Sequence, residues 1–218
     1  MPLPKATPVG APAYKQHNNA GVKLLAEGKP DEALKEFQAA LAAKPDYLAA
    51  RLNLGLAYLD LKQPKEAAAQ LNEVLKAKPS QPAARDGLAV ALAQQGKYDE
   101  AIAEERKLLQ TQPRYPLAHY NIACWQAVQK KTPEAYASLE QAVKLGFRDL
   151  AWMNRDPDLA LLRQDTVRWN ALLKLAAQPV SKGNPTKVIE APPQKAPAKA
   201  PAKAPAPRPQ PPAGTAKP

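Results

Sequence analysis

The chain repeats itself every 34 residues. Pro45, Pro79 and Pro113 are spaced by that interval, and so are Ala33, Ala67, Ala101 and Ala135, each preceded by a glutamate (Glu32, Glu66, Glu100, Glu134). The local strings are KPDEA, QPKEA, KYDEA and KTPEA. A fixed period of this length restricts the fold more than any composition does. A unit so short cannot bury its apolar side alone and must stack on copies of itself. Four units can be framed, at 14–47, 48–81, 82–115 and 116–149. Within that frame position 8 is small (Gly21, Gly55, Ala89, Ala123), which lets two helices of a unit approach closely. Position 7 (Ala20, Leu54, Leu88, Ile122), position 11 (Leu24, Tyr58, Leu92) and position 24 (Phe37, Leu71, Leu139) supply the apolar filling. The proline at position 32 ends the second helix, because it has no N–H to donate and clashes with the preceding turn. The Pro-Asp-Glu and Pro-Lys-Glu strings start that helix, where proline is tolerated and acids complement the helix dipole.

This pattern resembles the tetratricopeptide repeat, a 34-residue helix–turn–helix unit. The resemblance covers residues 14–149 and implies an all-α, right-handed solenoid of helix pairs. Four positions depart from it. Position 4, often Trp in the family, holds His17, Arg51, Arg85 and His119. Glu105 stands at position 24, Gln126 at position 11 and Phe147 at position 32. These changes predict some looseness in units three and four. Beyond Gly146, which reads as a helix C-cap, the period stops but helical patterning continues. Asp149, Asp156 and Asp165 each precede a short apolar run and read as N-caps. A solenoid must cover the apolar side of its last unit, and residues 150–178 read as the capping helices that do so, with Trp152 and Trp169 as anchors. They are similar to the end-module that follows some bacterial repeat arrays.

Proline is unevenly placed: four lie in residues 1–13, twelve in residues 179–218, and nine in between. Residues 1–13 and 179–218 therefore read as disordered segments, the second a Pro/Ala/Lys-rich tail. That tail carries seven Lys+Arg against one acid, Glu190, so it holds more than half of the formal net charge of +11. Such a tail implies either a solubilising spacer or a cationic arm for polyanions, a membrane surface or cell-wall polymer. The opening string MPLPKATPVGAP lacks the apolar stretch and basic run of a secretory signal. The expected compartment is the cytoplasm, with the periplasm or export as the alternative had a signal been removed. No apolar run reaches the length of a membrane helix.

Chemistry has few parts to work with. The chain contains one Cys, two His and three Ser, no GxxxxGK[ST] or GxGxxG string and no GxSxG elbow. His17 and His119 share a repeat position three units apart and cannot share a metal. Cys124 reads as a small apolar residue on a helix. No catalytic residue, metal or cofactor is expected. Binding is the stronger reading. The resemblance places first-helix positions 2, 5, 6, 9, 12 and 13 on a concave inner groove. The groove residues are then Asn18, Val22, Leu52, Asn53, Leu56, Asp86, Val90, Tyr120 and Asn121, with the amides of Asn53 and Asn121 suited to a peptide backbone. Only one of five positions of the family's carboxylate clamp is matched, by Asn53. The reading is a non-catalytic scaffold that holds a peptide or helix of another protein in this groove. The alternative is tethering through the basic tail with the solenoid as spacer.

Overall fold

The computed structural model describes residues 11–178. The expectations for residues 1–10 and for the 179–218 tail lie outside the described residues. Eight helices of similar length follow one another: α1 (Ala13–Ala26), α2 (Pro30–Ala43), α3 (Leu48–Asp60), α4 (Pro64–Ala77), α5 (Pro82–Gln94), α6 (Tyr98–Thr111), α7 (Pro116–Val128) and α8 (Thr132–Lys144). A short α9 (Leu150–Arg155), two 3-10 turns (Pro157–Leu159 and Leu162–Gln164) and α10 (Thr166–Ala177) complete the described residues, which contain no strand. From α1 to α8 each helix packs on the next, α10 packs back on α8, and α1 also touches α3 as α3 touches α5. The first helices of the units therefore form one layer and the second helices another, an all-α solenoid.

Proline opens four of the eight helices, at Pro30, Pro64, Pro82 and Pro116. It occupies a place whose N–H has no partner inside the helix. Each unit turns from its first helix to its second through one left-handed residue at position 15: Gly28 (φ 77°), Lys62 (φ 60°), Gly96 (φ 77°) and Lys130 (φ 62°). The following N–H reaches back to the last turn of the first helix, as in Lys29 N to Leu24 O (2.9 Å) and Gln63 N to Tyr58 O (2.9 Å). Close approach inside the pair is set by position 8. A Cβ on Gly21 would fall 2.5 Å from the Phe37 ring, and one on Gly55 2.8 Å from Leu71.

Position 4 has a structural task that spacing did not reveal. Arg51 donates to Gln70 (3.2 Å) on its own second helix and to the Pro45 carbonyl (2.8 Å) in the preceding turn. Arg85 does the same toward Glu104 (2.7 Å) and the Pro79 carbonyl. His17 pairs with Glu36 at 2.8 Å, and His119 engages the backbone of Pro113. Where a Trp would pack, Arg51, Arg85 and His119 hydrogen-bond one unit to the last turn of the unit before.

The looseness expected in units three and four is absent from their packing. Glu105 is fully buried and Gln126 nearly so. Gln126 accepts from Ser138 Oγ (2.7 Å), and Glu105 accepts from Asn121 Nδ2 (2.7 Å). Each finds a polar partner, although the second carboxylate oxygen of Glu105 is buried without one. The core of unit four runs on without a break into Met153, Leu159, Leu162, Trp169, Leu172 and Ala176 beyond it. Asp149, Asp156 and Asp165 cap their helices by accepting from Trp152 N (2.8 Å), Asp158 N (3.0 Å) and Arg168 N (3.0 Å). Trp169 is buried and donates from Nε1 to Asn154 (3.0 Å), whereas Trp152 is only half-buried.

Candidate protein-docking face

The layer of first helices presents positions 9 and 13 as its most open apolar places. Three large hydrophobic side chains are exposed among the described residues, Val22, Val128 and Val167. Two of these, Val22 (46% exposed) at position 9 and Val128 (37%) at position 13, stand on first helices. Between them Leu52, Leu56 and Val90 are half-buried. Leu56 leans over the next first helix, where a Cβ added to Gly87 would lie 3.3 Å from it. Val22, Leu56 and Val90 thus form an aliphatic row across α1, α3 and α5. Lys15, Asp60 and Asp86 are the charged residues at the inner positions, so the face is close to neutral on a chain of formal net charge +11.

The other expected groove residues are used inside the protein. Asn18 is buried and accepts from Asn53 Nδ2 at 3.0 Å, tying α1 to α3. Asn121 Nδ2 donates to Asp86 (3.2 Å) and Glu105 (2.7 Å), tying α7 to unit three. The amide nitrogens expected to hold a ligand backbone are therefore committed between units. Tyr120 is 3% exposed. Its ring stacks on Phe147 with centroids 4.2 Å apart, and its hydroxyl donates to Asp156 at 2.6 Å. Cys124 is covered by the same carboxylate, with Sγ 3.6 Å away. The turn Pro157–Leu159 packs on α7. Of the nine residues read as groove lining, Asn18, Asp86 and Tyr120 are thus buried, because neighbouring units and the cap cover them. At position 9 the open apolar row covers the first three units and ends at Cys124, which Asp156 covers, while Val128 stays exposed at the far end of α7.

Burial shifts several titratable groups at this end of the array. Burial, reinforced by Asp156 and Asp158, pushes the Cys124 thiol well above its ordinary range, which keeps it from the thiolate form a nucleophile needs. The same burial, with Cys124 and Asp156 beside it, raises the Tyr120 hydroxyl. Burial and the neighbouring Asp156 push Asp158 up to about 6. His119 is lowered by burial, which its backbone hydrogen bond to Pro113 only partly offsets. Among the described residues no three His, Cys, Asp or Glu side chains converge to hold a metal, and no helix is long and apolar enough to cross a membrane.

Comparison with known proteins agrees with this architecture. Residues 24–91 match the family model described as tetratricopeptide repeat. No curated protein matches the chain. Among solved structures, MamA of strain AMB-1 is 26% identical over 61% of this chain and 78% of its own, with a TM-score of 0.53. A thermophilic tetratricopeptide-repeat protein of Thermus thermophilus is 23% identical over 75% of this chain and 88% of its own, with a TM-score of 0.61. YrrB, described as a tetratricopeptide-repeat protein with an unusual peptide-binding site, is 24% identical over 62% of this chain and 70% of its own (TM-score 0.55).

Proposed function

Because the chain is a tetratricopeptide-repeat protein, we propose that it is a non-catalytic scaffold that docks a segment of another protein on its first-helix layer. The observation that carries this reading is the aliphatic row Val22, Leu56 and Val90, left partly open to water on a face with few charges. A folded chain gains by covering such side chains, and exposed apolar rows mark interaction sites. Ligand specificity follows from the same residues. A neutral, aliphatic face disfavours an acidic peptide or a terminal carboxylate, whose desolvation nothing there would offset. It favours the apolar stripe of a helix or an extended apolar strand. The basic tail is the source of the rival reading, in which residues 179–218 bind a polyanion and the solenoid only spaces it.

The test compares three proteins: the full chain, Leu56→Glu, and a truncation after Gln178. Proteins captured by the full chain from its source cells are re-bound to each at low and high salt. Leu56→Glu should keep its helical circular dichroism with a modest loss of Tm, since half-buried Leu56 also packs against the core beneath it. It should lose the captured partner at least tenfold, because docking would desolvate an unpaired carboxylate. Binding that survives Leu56→Glu, disappears with the tail and collapses in high salt would establish the tethering reading instead.

A further inference from the structure

We propose that the docking face has a fourth place, on α7, which residues 156–159 fill in cis and vacate for a partner without unfolding the array. Position 9 is exposed or half-buried in the first three units, at Val22, Leu56 and Val90, and closed in the fourth, where Cys124 is 4% exposed. The cover is the chain's own Asp156 with the turn Pro157–Leu159, which packs on α7. Its grip is narrow. One oxygen, Asp156 Oδ2, accepts from the Tyr120 hydroxyl at 2.6 Å and from the Cys124 thiol at 3.6 Å. Leu159 adds a buried side chain to the core that Tyr120 and Cys124 share. Other ties of this stretch stay inside the cap: Asp156 Oδ1 accepts from Asp158 N, and Arg163 donates to the carbonyls of Met153 and Asp156. The cap is anchored again further along, where Tyr136 donates to the Leu162 carbonyl and Trp169 enters the core. Residues 156–159 can therefore leave α7 while α10 stays in place.

The closed arrangement is poised because it takes a carboxyl group out of water. Asp156 is 1% exposed, and such a group is costly to bury unless its partners are strong. Its partners are a phenol, a thiol and one backbone N–H, while Arg163 is spent on carbonyl oxygens. Moving off α7 returns Asp156 to water and leaves the Tyr120 ring stacked on Phe147. The row Val22, Leu56 and Val90 then continues to Cys124 in the fourth unit. Position 5 carries a hydroxyl only there, as Tyr120, so α7 has a donor for one carboxylate that the aliphatic row lacks. The segment that replaces residues 156–159 matches their chemistry: an aspartate for Tyr120, and a leucine three residues later, as in Asp156 and Leu159. Its apparent affinity is reduced by the fraction of molecules that are open. This inference rests on the first-helix layer being the docking face.

Cys124 is the one cysteine of the chain, so thiol labelling reports this place alone. The full chain is labelled with a maleimide in low urea, beside global unfolding followed by circular dichroism. Local opening should give labelling at least about tenfold faster than global unfolding allows, and nearly insensitive to urea, because little surface is exposed. Labelling that follows the global urea slope overturns the proposal. Tyr120→Phe keeps the ring and removes the donor to Asp156, and it should speed labelling by about tenfold; an unchanged rate also overturns the proposal. The docking role is tested on Asp156→Ala, whose own segment has lost its grip. A synthetic peptide of residues 153–164, at about 1 mM, should slow its labelling at least twofold. The same peptide carrying Asp156→Ala and Leu159→Ala should not, and equal rates with the two peptides overturn the fourth place. If Asp156→Ala does not fold, the peptides are compared on Leu159→Ala. None of these readouts passes through Val22, Leu56 or Val90. Failure here therefore leaves the Leu56→Glu result standing, and failure of Leu56→Glu leaves the opening of residues 156–159 measurable.

Discussion

At Gly55 the missing Cβ is the whole function of the residue. An added methyl would lie 2.8 Å from Leu71 Cγ, a buried side chain with no room to retreat. Gly55→Ala should therefore cost about 1–3 kcal/mol through overpacking, despite the better helix propensity of alanine. Gly87→Ala meets its nearest neighbours only at 3.1–3.4 Å and should cost clearly less. Urea denaturation of the two variants side by side checks the order, and equal midpoints would contradict it. The demand for a small residue at position 8 was legible in the sequence because one unit imposes it on itself. The burial of Asn18, Asp86 and Tyr120 was not legible, because their covers arrive from elsewhere. Asn53 meets Asn18 from 35 residues away, and Asp156 meets Tyr120 from 36. A repeat frame tells which face of its own helix a residue occupies and says nothing about what the next unit lays over it.

Between the helices of each unit the chain turns through a left-handed residue, and two of the four are lysines. Lys62 and Lys130 adopt φ near 60° where Gly28 and Gly96 stand in the other units. A side chain in that conformation costs about 1–2 kcal/mol relative to glycine, set against the greater freedom glycine has when unfolded. Lys62→Gly should therefore raise stability by about 0.5–1 kcal/mol, read as a higher urea midpoint at unchanged slope; a lower midpoint would show that the Lys62 stem packs favourably. The position of this turn was readable from the strings that open the second helices. Its left-handed residue was not, because lysine carries no mark of it. The position-4 side chains make the same point from the other direction. They stood out as departures from the repeat, yet the Pro45 and Pro79 carbonyls that Arg51 and Arg85 reach belong to the preceding unit's final turn.

Across the molecule, the end of the array is held by residues outside the period. Trp169, Leu172 and Ala176 share one core with Tyr136 and Leu139 of α8. Tyr136 also donates to the Leu162 carbonyl at 2.6 Å and lies 4.1 Å beneath the Arg168 guanidinium. Trp169→Ala should cost about 3–5 kcal/mol. The loss should appear first in α7–α10, as faster amide exchange there than in α1–α4; uniform acceleration along the chain would mean that the units unfold as one block. The need for a seal was legible from the apolar tryptophans after Gly146. That the seal would fold over the inner face of α7 was not, since nothing in DPDL says which side of a helix it will cover. If the row docks a partner as proposed, this arrangement makes it a ruler. Successive first helices are spaced by about 8–10 Å, so the open row from Val22 to Val90 spans about 20 Å. Beyond Val90 it meets Cys124, which Asp156 covers. An extended segment docked across it would have about six residues in contact, counted from the closed end.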